Sequence, residues 1–130
     1  MNSLPDWVAL FAALEVIGLA TFQILLAAGL PFGDAAFGGA NAVLSTKLRF
    51  ASASSAVLFV AALYVVLARG GLFGVVGKST IVHVAIWLFA GVFGISAVAN
   101  AASHSRWERF LMAPIGLVLA ACCVVLALSL

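Results

Sequence analysis

Long apolar runs separated by short polar stretches set the pattern of this chain. The runs occupy about positions 7–30, 48–68, 80–102 and 109–130, each near the roughly 20 residues a helix needs to cross the hydrocarbon core of a bilayer. The pattern predicts an all-α, integral membrane four-helix bundle in which residues 1–130 form one domain. Four spans alternate in direction, so both termini and the second loop are expected on one side of the membrane. The first and third loops then share the other, more polar side.

Local signals sharpen the boundaries. Pro5 and Asp6 suit a helix start, and Gly29, Leu30 and Pro31 suit an end. Ser79 is placed to cap the third helix. Ser105-Arg106-Trp107-Glu108 matches the S-x-x-E capping box that opens a fourth, and Pro114 either kinks that helix or marks where its regular part begins. The first loop, 31–47, exceeds the roughly 12 to 15 residues beyond which a connection usually carries structure or function of its own. Its Gly33, Asp34, Gly38, Gly39 and Asn41 favour turns, so it reads either as a surface flap or as a short interfacial helix.

Composition fixes the solvent. With 66% hydrophobic and 8% charged residues, the chain lies far from the roughly 45–50% apolar and 25% charged composition of soluble domains, and its partner is the lipid bilayer. Six Lys and Arg against four Asp and Glu form no basic cluster of the kind that binds nucleic acid. Lys47, Arg49, Arg106 and Arg109 on the polar side outnumber Arg69 and Lys78 opposite, which by the positive-inside rule would make the polar side cytoplasmic. If Arg49 and Arg109 belong to a structural network that bias vanishes, and the orientation stays open. The first run is too long for the apolar region of a signal peptide and lacks the basic segment before it, so it reads as a retained helix.

A few residues carry candidate chemistry. Glu15 lies deep in the first run, where charge is costly and a carboxylate is a functional candidate by default. It reads either as a proton- or cation-binding group or as a neutral acid bonded to a residue such as Tyr64. Toward the polar side, Gln23, Asp34, Arg49, Ser52, Asn100, Ser103, Arg106 and Glu108 come from different segments. They form either a fixed polar cap, with Arg49 paired to Glu108, or a ligand vestibule. Ser96, Asn100, Ser103 and Trp107 follow one helical stripe. Small residues at Ala113, Gly116, Ala120, Cys123 and Ala127 form a packing seam, through which Gly116 and Ala120 would serve self-association or a partner helix. Cys122 and Cys123 are adjacent, which disfavours a disulfide, and no metal-binding spacing is present. His83 and His104 stand roughly 31 Å apart on one helix, so no metal or other cofactor is expected and hydrolase chemistry finds no motif.

Three pieces, L-P-F-G-D-A-A-F-G-G at Leu30–Gly39, L-R-F-A-S at Leu48–Ser52 and N-A-A-S-H-S-R-W-E-R at Asn100–Arg109, resemble a family of small bacterial four-helix membrane proteins. That resemblance implies the fold and a bacterial inner-membrane location, and no activity. A-L-E-V-I-G at Ala13–Gly18 more distantly resembles the first helix of small multidrug resistance transporters, which would make Glu15 a proton- and substrate-binding carboxylate. The longer first and second loops, and the Trp and Gly spacing of the third run, depart from that family. The expected function is that of a small transporter or ligand- or ion-binding membrane protein with an intramembrane carboxylate. The alternative is a non-catalytic scaffold or partner-binding subunit.

Overall fold

The computed structural model describes residues 3–129. Four long helices, α1 (Leu4–Ala27), α2 (Thr46–Arg69), α3 (Thr80–Ala101) and α4 (Ala113–Leu128), form an antiparallel bundle, and no strand occurs among the described residues. A π-helical turn, Glu108–Met112, runs directly into α4. Counting that turn, the four spans hold 24, 24, 22 and 21 residues and are long and apolar enough to cross a membrane. At 1.5 Å per residue they reach roughly 31 to 36 Å, against a hydrocarbon thickness of about 30 Å.

The helices pack as two pairs, α1 on α2 and α3 on α4, with narrower α1–α4 and α2–α3 contacts. Alanines allow this close approach. Ala12, Ala62, Val16, Val66, Ile86, Leu119 and Leu126 are fully buried, while Leu14, Ile17, Val57, Leu58, Ile95 and Val98 face outward. An apolar exterior around an apolar core is what a lipid solvent requires, since water would not tolerate patches of this size. Gly116 packs on Ala97, where an added Cβ would lie 3.4 Å from the alanine methyl, and a Cβ on Gly94 would meet that of Ala120 at 4.0 Å. The small-residue seam of α4 is therefore filled by α3 of the same chain.

Helix ends explain where the expected boundaries moved. α1 stops at Ala27 rather than 30 because Gly29 adopts φ +94°, and the N–H groups of Gly29 and Leu30 turn back to Leu26 O at 3.0 Å and Leu25 O at 3.1 Å. This is a Schellman end, in which glycine takes the left-handed position without steric cost. α2 ends the same way at Gly71 and Leu72, bonded to Ala68 O and Leu67 O. At their starts, Ser45 and Ser79 accept from Leu48 N–H at 3.4 Å and Val82 N–H at 3.3 Å, as caps do.

Two arginines complete the ends that these turns leave. Arg49 Nε donates to Ala27 O at 2.8 Å, so a guanidinium at the start of α2 neutralises the carbonyl end of α1. Arg69 is only 4% exposed and uses three nitrogens, donating to Leu126 O (2.9 Å), Ala127 O (2.8 Å) and Gly77 O (2.9 Å). It ties the last turn of α2 to the last turn of α4 and to the 3-10 turn Gly74–Lys78. Gly70 packs against Ala9 at the same end, too close for a β-carbon.

Candidate functional site

The first loop folds as a flap across the opposite end of the bundle. Gly33 N–H donates to Ala42 O at 2.7 Å, closing residues 33–42 on themselves, and Gly39 N–H donates to Ala36 O at 2.9 Å. Two single 3-10 turns, Gly33–Ala35 and Phe37–Gly39, fill the interval. Ala36 and Leu44 are buried against Leu26, with Phe22 and Leu48 beside them. This small apolar cluster holds the flap on α1 and α2, separately from the main core. Phe37 takes φ 49°, followed by Gly38 at 79° and Gly39 at 75°. A bulky residue in that left-handed region costs roughly 1–2 kcal/mol, and here it lets the Phe37 ring line the space beneath the flap.

Side chains from the turn before α4 latch the flap. Ser105 Oγ donates to Asp34 O. Glu108 Oε1 accepts from Gly38 N–H at 2.9 Å and from Ser103 Oγ at 2.6 Å. The expected capping box forms only in half: Glu108 N–H donates to Ser105 Oγ at 3.3 Å, but Ser105 N–H goes to Ser103 Oγ at 3.0 Å. Freed from the cap, the Glu108 carboxylate reaches the flap instead. The expected Arg49–Glu108 pair is absent for the same reason, since Arg49 is committed to Ala27 O and Glu108 to Gly38 and Ser103.

Beneath the flap, between all four helices, lies a partly enclosed cavity of about 310 Å³. Its polar lining is Gln23, Ser55, Ser96, Asn100 and Glu108. Phe22, Phe37, Phe59, Phe93, Met112 and Leu119 supply apolar walls, with the Phe59 and Phe93 rings stacked at 5.9 Å. A volume near the lower end of the roughly 300–1,000 Å³ typical of ligand sites, apolar walls and a few convergent polar groups are the properties of a small-molecule pocket.

Of the residues singled out from the sequence, the cavity brings together Gln23, Ser96, Asn100 and Glu108, with Ser103 one hydrogen bond away. Asp34 contributes its main-chain oxygen to the latch. Ser52 is fully buried, its hydroxyl unpartnered and outside the cavity lining. Arg106 sits on the outer surface with the exposed Trp107. Ser55 joins the site from α2; its spacing of i, i+3 and i+6 with Arg49 and Ser52 puts the three on one face of that helix.

Glu15 stands apart. It is half-buried in α1, roughly 12 Å along the helix from Gln23, with Oε1 enclosed and unpartnered. Tyr64 does not serve it: that ring stacks on Phe73 at 5.1 Å and is exposed. No group of three or more His, Cys, Asp or Glu suited to a metal occurs among the described residues. Comparison with protein-family models, curated proteins and solved structures returns no match.

Proposed function

We propose that this chain is a multi-pass protein of the bacterial inner membrane, with both termini on one side, that binds a small ligand in the cavity under the flap. The observation that carries this reading is the cavity itself. Polar groups from three helices and the turn before α4 converge above aromatic walls, and a latched loop covers them. A cap that served only stability would fill this space with side chains, as the main core does. Self-association through Gly116 and Ala120 would have to displace α3, so the scaffold alternative draws less support.

A panel of small amphipathic compounds screened by NMR against the protein in nanodiscs tests the proposal. At least one compound is expected to bind, and Asn100→Trp, which fills the cavity from α3, is expected to weaken it more than about tenfold, as loss of a fitted site does. Retained binding in a folded Asn100→Trp protein would rule the cavity out.

A second reading adds transport, favoured by the unpartnered Glu15 oxygen inside α1. A half-buried intramembrane carboxyl with no fixed partner is suited to exchanging a proton during movement of ligand. In proteoliposomes, Glu15→Gln is expected to leave binding intact and abolish uptake of the bound compound driven by a pH gradient. Wild-type vesicles that show no such uptake would leave a binding protein without the transport step.

A further inference from the structure

Glu108 is 8% exposed, and both hydrogen bonds to its carboxylate land on Oε1. Oε2 takes none and is not sealed in, while the residue lines the cavity. One oxygen therefore holds the flap, while the other, on a residue that lines the cavity, takes no hydrogen bond from the protein. Among the described residues, no Lys, Arg or His lines that space, so the carboxylate meets no cation of the protein's own. A buried charge without a counter-charge is costly, and a ligand that brings the opposite charge relieves the cost.

The walls narrow the class of cation. A hard metal ion takes about six oxygen ligands, whereas the one carboxylate of this cavity is joined only by two amides and two serine hydroxyls, set among four phenylalanines. Aromatic faces attract ammonium groups and tolerate their apolar substituents. Gln23 adds an amide whose Oε1 has no partner in the structure, and turning that amide presents an acceptor to an N–H donor. The cavity, about 310 Å³, holds on the order of ten water-sized groups at roughly 30 Å³ each.

Resting on the reading of the cavity as a ligand site, we infer that its ligand is a small organic cation, an amine or quaternary ammonium bearing an apolar group, with the positive centre at Glu108 Oε2 and the apolar group against Phe59 and Phe93. Glu108 then joins recognition to flap position, because the same carboxylate holds Gly38.

Three probes of one shape separate the possibilities: benzyltrimethylammonium, the neutral benzyldimethylcarbinol and the anion phenylacetate, each titrated calorimetrically into the protein in nanodiscs free of anionic lipid. Wild type is expected to bind the ammonium at least about tenfold more tightly than the carbinol, with phenylacetate weakest. Glu108→Gln keeps an Oε1 for Gly38 and Ser103 and is expected to bring the ammonium and the carbinol within about twofold. Should that variant fail to fold, Phe37→Leu, which removes the lining ring next to the Gly38 that Glu108 holds, is expected to weaken the ammonium about fivefold while changing the carbinol less than twofold. Equal wild-type affinity for ammonium and carbinol, or a preference for phenylacetate, overturns the cation class and leaves the cavity as a ligand site. So does an undiminished ammonium preference in folded Glu108→Gln, or in Phe37→Leu where that variant stands in. Failure of all three probes to bind, in a protein whose cavity binds a neutral compound from the screen, overturns the inference alone; failure of every compound overturns the site as well.

Discussion

Arg69→Met is expected to destabilise the detergent-solubilised protein by about 2 kcal/mol or more, because Ala127 O and Gly77 O lose their donors together, each at a cost of about 1–3 kcal/mol when left unmade, while Leu126 O keeps Ser129 Oγ at 2.9 Å. The two orphaned acceptors belong to two separate segments, so no single rearrangement of the chain re-satisfies them. Gly77 packs against the Ala68 carbonyl with no room for a β-carbon, which keeps the 3-10 turn from moving away. Arg69→Lys is expected to fall between wild type and Met, since an ammonium is a point donor without the planar fork that reaches three oxygens at once. The fully buried Cys123 supplies the measurement. Its thiol reacts with a fluorogenic maleimide only when the bundle opens, so with the half-buried Cys122 replaced by alanine throughout, the temperature at which fluorescence rises reports unfolding. A Met variant that opens within a degree or two of wild type would show that the arginine is dispensable.

Gly33→Ala is expected to release the flap while leaving the bundle intact. A β-carbon at Gly33 would overlap the Asn41 carbonyl oxygen and approach Ala42 O to 2.7 Å, and Ala42 O is the acceptor that closes the 33–42 turn. Alanine and the closure cannot coexist. The flap rests on its own cluster around Leu26, Ala36 and Leu44, so opening it leaves the main core undisturbed. Chymotrypsin should then cut at Phe32 or Phe37 at least about tenfold faster than in wild type, as for a segment whose local opening has become nearly free. Thermal opening at Cys123 should change little. Gly38→Ala is the control: its φ of +79° strains alanine, but nothing lies within 4 Å of the added carbon, so the effect should be nearer the roughly 1 kcal/mol cost of the conformation alone. Equal protease resistance of Gly33→Ala and wild type would mean that the flap is held by something other than its closure.

The architecture was legible because lipid imposes one rule on every span: apolar side chains outside and hydrogen bonds within the helix. Four apolar runs of the right length could satisfy it in few ways, and the structure follows them to within a few residues. What was hidden lies where one residue has two credible partners. Glu108 stands three residues after Ser105, a local signal of a capping box, yet its carboxylate crosses 70 residues of sequence to Gly38. Nothing in the spacing announces that contact. Arg69 reads as an ordinary loop cation next to a glycine pair and turns out to be buried, because its partners are main-chain oxygens that every residue possesses. Gln23 and Asn100 were legible as intramembrane polar residues, but that they share one cavity depends on how the α1–α2 pair docks on the α3–α4 pair.

The walls of that cavity come from both helix pairs, α1 with α2 and α3 with α4, and the latch joins a residue of the first loop to one of the turn before α4. Neither hairpin contains the site alone. A compound seated there recognises only the docked protein, so by mass action it must strengthen the union of the two hairpins. A hundredfold excess over its Kd would add about 2.7 kcal/mol, enough to find an unknown ligand by its effect on melting alone.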